Sequence, residues 1–132
     1  KDYRGAILDF TKVIDINPKY EDIFTHRGFS KHNLNDFSGA ILDYTKAIEI
    51  NPNNADAYLK RGIAKCSLQD LKGGVLDFTK TINFEPKNMD AYFNRWVAKF
   101  SLGQKESACL DLKKAGELGK KEVFEMIKKY CN

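Results

Sequence analysis

The chain has 132 residues, 42% of them apolar, which by length and composition alone suffices for a sizeable core. Its 22 basic residues are interleaved with 18 acidic ones for a net charge of +4, so no basic stripe of the kind nucleic acid requires stands out. No stretch approaches the roughly 18 consecutive apolar residues of a membrane span, and no charged, then apolar, then small-residue signal opens the chain.

The first predicted element, over residues 1–16, is a helix with Ala6, Ile7, Phe10 and Val13 on one face. It begins on Lys1, in the middle of a repeating unit, as expected of a piece of a longer protein from which any targeting signal could have been removed. Its partner helix is missing, so that face lacks part of its cover. Two accounts fit: a longer array continues over it, or two molecules bury these uncapped ends against each other.

A helix is then predicted from about Asp22 to Leu34 and a second from about Ser38 to Ile50, with Asn35 and Asp36 supplying turn and cap chemistry. Ala40, Ile41, Tyr44, Ala47 and Ile48 recur at helical spacing and define the apolar face. Pro52 stops the second helix, because proline lacks an N–H and disfavours helical geometry in the residue before it. Asp56 and Asp90 fall in the opening turns of later helices, where the positive end of the helix dipole favours a carboxylate.

This pattern recurs. "AIEINPNNADAY" from Ala47 is nearly repeated as "VIDINPKYEDIF" from Val13 and "TINFEPKNMDAY" from Thr81, and Pro18, Pro52 and Pro86 are each 34 residues apart. A fixed period of this size marks stacked supersecondary units. The chain divides into a second helix of a truncated unit (1–20), units at 21–54 and 55–88, a divergent last unit (89–122) and the end of a capping helix (123–132), all in one domain. Gly28 and Gly62 correspond, as do Ala6, Ala40, Gly74 and Ala108, and Phe10, Tyr44, Phe78 and Leu112. Trp96 stands where Gly28 and Gly62 let two helices approach, so the last pair is expected to be splayed or rotated. Lys120 holds the proline place, and Val123, Phe124, Ile127 and Tyr130 share one face of the capping helix.

The 34-residue period, the aromatic residues Phe24, Tyr58 and Tyr92, the Gly and Ala pair, the second-helix aromatic and the closing Pro together resemble the tetratricopeptide repeat. The wording "DAYLKRGIAK" and "GAILDYTKAIEINP" is similar to bacterial-type members. The resemblance implies an all-α, right-handed superhelical solenoid of antiparallel helix pairs, about three and a half repeats plus a C-terminal capping helix, with a concave side that takes a partner's peptide or helix. Members that hold chaperone tails clamp a terminal carboxylate with Lys, Asn and Arg. The corresponding places here hold Thr25, Phe29, Leu59, Ile63, Phe93 and Val97, which disfavours that role.

Two charged columns also recur. Arg27, Arg61 and Arg95 occupy first helices, and Asp9, Asp43, Asp77 and Asp111 occupy second helices. A guanidinium in a helix interface requires a carboxylate, so a structural role is expected. Each Arg is expected to bond the Asp of the preceding unit, Asp43 with Arg61 and Asp77 with Arg95, with pairing inside a unit as the rival. Lys31, Lys65 and Lys99 lie one turn after each Arg and can join.

Nothing marks a catalytic site. His26 and His32 are six apart and face different ways, so a shared metal is not expected. Gly73 and Gly74 lie inside a predicted helix and form no phosphate loop; they mark a weakened helix or a close approach. No cofactor is implied. Cys66, Cys109 and Cys131 have no CxxC spacing, so three reduced thiols in a cytoplasmic protein are the default. Antiparallel packing of the last helices would instead allow a Cys109–Cys131 disulfide, given a Cα separation below about 7 Å, and a periplasmic or secreted location.

If every hinge sets the same angle, equivalent first-helix residues form ladders: Asp22, Asp56 and Asp90 at one edge, then Thr25, Leu59 and Phe93, then Phe29, Ile63 and Val97, then His32, Cys66 and Phe100. The expected function is a protein-interaction scaffold whose groove, apolar at the centre and acidic at the rim, is made by Asp56, Leu59, Ile63, Asp90, Phe93, Asn94, Val97 and Phe100. The alternatives are that Phe29, Ile63 and Val97 only pack between helices, and that the chain is a structural or self-association module with its ends paired.

Overall fold

A computed structural model describes all 132 residues, as eight helices and no strands. They are α1 (Tyr3–Ile16), α2 (Glu21–Asn33), α3 (Phe37–Ile50), α4 (Ala55–Ser67), α5 (Leu71–Phe84), α6 (Met89–Ser101), α7 (Lys105–Glu117) and α8 (Val123–Tyr130). Consecutive helices pack as antiparallel neighbours, and α2, α4 and α6 also touch one another whereas α1, α3, α5 and α7 do not. The first helices therefore form the inner layer of a solenoid and the second helices the outer layer.

Five of the eight helix starts, those of α1, α3, α4, α5 and α6, carry a side-chain cap. Asp2, Asp36 and Asp70 accept the backbone N–H of Gly5, Gly39 and Gly73, each at 2.9 Å, and open α1, α3 and α5. Asn54 and Asn88 do the same for Ala57 and Ala91, at 2.9 and 3.0 Å, and open α4 and α6. Inside each unit the turn passes through the left-handed region at one place: Asn35 (φ 61°), Gln69 (φ 65°) and Gly103 (φ 77°).

The two helices of a unit approach closely where glycine stands. A Cβ on Gly28 would lie 2.8 Å from the Tyr44 ring, and one on Gly62 would lie 2.6 Å from Phe78. Gly74 makes the close approach, since a Cβ there would meet the Gly62 carbonyl oxygen at 3.2 Å and collide with the Cys66 sulfur. In the last unit Trp96 and Leu112 exchange the small and large partners, and both are buried. The splaying expected from Trp96 is therefore absent at the clasp described next, whose distances match those of the other units.

The Arg and Asp columns meet inside each unit. Arg27 Nε and Nη2 donate to Asp43 at 2.9 and 2.7 Å, Arg61 to Asp77 at 2.9 and 2.8 Å, and Arg95 to Asp111 at 2.9 and 2.6 Å. The pairing expected between Arg61 and Asp43, and between Arg95 and Asp77, is corrected. What reaches the preceding unit is the third guanidinium nitrogen, which donates to Thr11, Thr45 and Thr79 at 3.1, 3.2 and 3.0 Å. Thr45 lies two residues, about 200° of helix rotation, beyond Asp43. Asp43 therefore faces α2 while Thr45 faces α4. Lys31, Lys65 and Lys99 add a second cation to each Asp at 2.9, 3.0 and 2.8 Å. Hydrogen bonding to Asp77 raises the Arg61 pKa, with burial opposing it. The guanidinium planes also lie near the faces of Phe24, Tyr58 and Tyr92, at 5.8, 5.5 and 5.7 Å from the ring centres.

At the N-terminal end α1 buries no residue, and Asp9 has no ion pair. At the other end Val123 is buried against Trp96, Ala108 and Leu112, whereas Phe124, expected on the same face, is 52% exposed.

Gln69 is the informative turn position, because an L residue with a side chain is strained at that φ and Gly is not. The substitution Gln69→Gly is expected to raise stability by about 1 kcal/mol, a gain of a few degrees in thermal melts followed by circular dichroism. An unchanged or lowered melting temperature would contradict the strain argument.

Candidate functional site

The ladders of α2 and α4 meet in one hollow. Phe29, His32, Leu59 and Ile63 line a cavity of about 330 Å³ with Asp56, Lys60, Asp90 and the ring of Tyr44. A second hollow of about 460 Å³ continues from it past Asp22, Thr25 and His26. Hinge geometry brings these side chains together: α2, α4 and α6 start after equivalent turns, so residues 34 apart stand side by side. Leu59 and Ile63 are half-buried, and Phe29 and Val97 are exposed at 42% each, so these ladder positions do not disappear between the helices.

The aspartates of the expected rim are exposed, and two of the three are already ion-paired. Asp56 pairs with Lys60 on its own helix, and Asp90 accepts from Lys120 at 2.8 Å, while Asp22 has no ion pair. Their exposure is high, at 55% for the Asp56 side chain and 60% for that of Asp90, so these contacts hold them only weakly. Asn94 turns its amide to the Asp90 carbonyl at 2.8 Å, within α6. Burial lowers the His32 pKa, which keeps that imidazole neutral on the groove floor at neutral pH. Burial, followed by the charges of Asp56 and Asp43, raises that of Tyr44. No group of His, Cys, Asp and Glu has the geometry to hold a metal ion.

Phe93 and Phe100 are half-buried, like Leu59 and Ile63, and pack toward the cap. Phe93 packs on Trp96 at 5.4 Å between ring centres, with the Lys120 ammonium 4.9 Å above its face. Phe100 meets Tyr130 of α8 at 5.4 Å. Both belong to the cluster around Trp96, Leu112 and Val123. The hollow itself is lined mainly from α2 and α4, with Asp90 its one residue from α6. Sequence reading missed Lys120 and Lys60 at the rim; the signal was the loss of proline at Lys120, which frees that position for a charged side chain.

Cys109 and Cys131 are joined in a disulfide with their Cα atoms 5.5 Å apart, and Cys66 is the free cysteine. The expectation of three reduced thiols is corrected, because α7 and α8 run antiparallel and bring the two positions together. The bond fastens the end of the cap beside the closed end of the groove. Trp96 Nε1, buried beneath the cap, has no hydrogen-bond partner.

An all-α solenoid of stacked helix pairs with a concave inner groove defines the class. A model of the TPR repeat matches residues 30–69. Solved structures agree: MamA superposes with a TM-score of 0.86 at 25% identity, over 92% of this chain and 71% of that one. The first TPR domain of Spaghetti (RPAP3), bound to the HSP90 peptide SRMEEVD, gives 0.76 at 29% identity over 76% and 80%. YrrB gives 0.85 at 23% identity over 96% and 66%, a likeness of fold alone. A comparison with curated protein sequences finds no match. Residues 30–69 match the TPR repeat, and the chain as a whole shares the all-α solenoid architecture of these structures. No helix is long and apolar enough to cross a membrane.

Closing the Cys109–Cys131 loop removes freedom from the unfolded chain, so Cys131→Ser is expected to cost about 3 kcal/mol in denaturant unfolding. The unreduced protein is expected to weigh two hydrogens less than the reduced one. A mass matching three free thiols would show the bond to be absent.

Proposed function

We propose that the chain is a protein-interaction scaffold that receives a basic, amphipathic helix or extended segment in the concave groove, and that it acts by binding and not by catalysis. The observation that supports this is an apolar floor of Phe29, Leu59 and Ile63 beside the exposed row Asp22, Asp56 and Asp90. Asp56, Leu59, Ile63 and Asp90 are the central contacts. Asn94 and Val97 extend the site along α6, and Phe93 and Phe100 serve as its wall beneath the cap.

The peptide held by the Spaghetti domain ends in acidic residues. An acidic rim repels such a ligand, and the Lys, Asn and Arg clamp is missing from the matching places here, so the partner of this chain has the opposite charge. The disulfide supports an oxidising compartment, periplasmic or extracellular.

A fluorescent peptide with Leu at helical spacing flanked by Lys is the probe, and its anisotropy the measurement. The substitution Ile63→Glu is expected to weaken binding at least ~10-fold, equivalent to about 1.4 kcal/mol. The helical signal and melting temperature should stay nearly unchanged, because Ile63 is only half-buried. Equal binding by the variant, or equally tight binding of a peptide with Glu in place of Lys, would remove this site.

A further inference from the structure

The outer face of the solenoid carries a pattern that neither packing nor the groove uses. Leu8, Leu42, Leu76 and Leu110 stand at one place in the four second helices and are 65%, 71%, 68% and 69% exposed. On α3 the buried face is Ala40, Asp43, Tyr44 and Ala47. Leu42 lies two residues, about 200°, around from Ala40, at the crest of the outer surface. One turn further along each helix is an exposed lysine: Lys12, Lys46, Lys80 and Lys114. Four equivalent leucines this exposed form a row, unlike the scattered single apolar residues of ordinary surfaces.

We infer that this row is an interaction surface and that its occupant is the concave groove of a second copy of the same chain. Three observations support the match. The groove offers an apolar row beside the row Asp22, Asp56 and Asp90, of which Asp56 and Asp90 are shared with Lys60 and Lys120 at exposed contacts that exchange at little cost, and the outer face offers an apolar row with a basic row beside it, each pair of rows about one helical turn apart. Both surfaces have the same repeat, because one solenoid generates both, so several rungs engage at once. A convex face also meets a concave one, and inner helices of one copy lie on outer helices of the next much as the two layers already pack within a chain. Lys12 and Lys80 have no ion pair; Lys46 and Lys114 are shared with Glu49 and Glu117 at exposed contacts of 3.4 and 3.1 Å, which exchange at little cost.

The contact is front to back, so it is heterologous: each copy keeps one free groove and one free outer face, and assembly continues as an open stack. This differs from pairing of the uncapped N-terminal ends, which would close as a dimer. It rests on the groove reading above and names an occupant for that groove.

The test is sedimentation velocity on the full chain and on two variants, each checked for an unchanged helical signal. Leu42→Glu with Leu76→Glu spoils the outer face, and Asp22→Lys with Asp56→Lys spoils the groove; all four positions are exposed. The unaltered chain is expected to grow beyond dimer with concentration and to shrink as salt is raised. Each variant alone is expected to be a monomer. An equimolar mixture is expected to form a one-to-one pair and nothing larger, since one variant keeps a good groove and the other a good outer face. A monomeric unaltered chain, assembly by either variant alone, or a mixture that stays monomeric would overturn the inference. Binding of the basic probe peptide to the Leu42→Glu, Leu76→Glu variant separates the two readings. If the peptide binds while the unaltered chain stays monomeric, only the stack is lost; if neither occurs, both are lost.

Discussion

A guanidinium lies at the centre of each of the three complete units of this chain. Arg61 is gripped by Asp77 of its own unit and holds Thr45 of the unit before, so one side chain ties three helices together. Asp77 is buried and accepts from Lys65 as well, which leaves its charge fully compensated. Arg27 and Arg95 do the same in their units. Because these contacts are directional and identical in kind, each unit is set on the last at the same angle. The ladders of the inner face and the rows of the outer face both follow from that constancy.

Some of this arrangement was legible before any coordinates. The 34-residue spacing of Pro18, Pro52 and Pro86 gave the helix pairs, and the Arg and Asp columns gave a buried ionic role. The partner of each Arg was not legible. Asp43 and Thr11 are each 16 residues from Arg27, one on either side, whereas Asp43 is 18 residues from Arg61. Only rotation around α3 decides which helix Asp43 faces. The caps were partly visible: Asp36 could be assigned, while Asn54 and Asn88 were hidden beside the more conspicuous Asp56 and Asp90.

The last unit differs from the others in how its inner face is covered. Trp96 reads as a clash when set against Gly28 and Gly62. It becomes a compensated exchange once Leu112 replaces Tyr44 and Phe78 in the opposing position. The ring then forms a platform for α8, and Phe93 and Phe100 are drawn into it. A single-column comparison cannot reveal this, because the compensating residue lies on another helix. The disulfide between Cys109 and Cys131 secures the same cap, whose only fully buried side chain is Val123.

The central claim is that Arg61 and Asp77 act as a coupled pair, so that either one alone is a liability. A double-mutant cycle in denaturant unfolding tests it with Arg61→Met, Asp77→Ala and the combination. Asp77→Ala alone is expected to cost about 3–5 kcal/mol, because it leaves Arg61 and Lys65 uncompensated in a mostly buried site. Adding Arg61→Met should recover a large part of that loss, giving a coupling energy above about 1 kcal/mol. Independent, additive costs with coupling near zero would mean that the clasp is a bystander and that apolar packing alone holds α4 against α5.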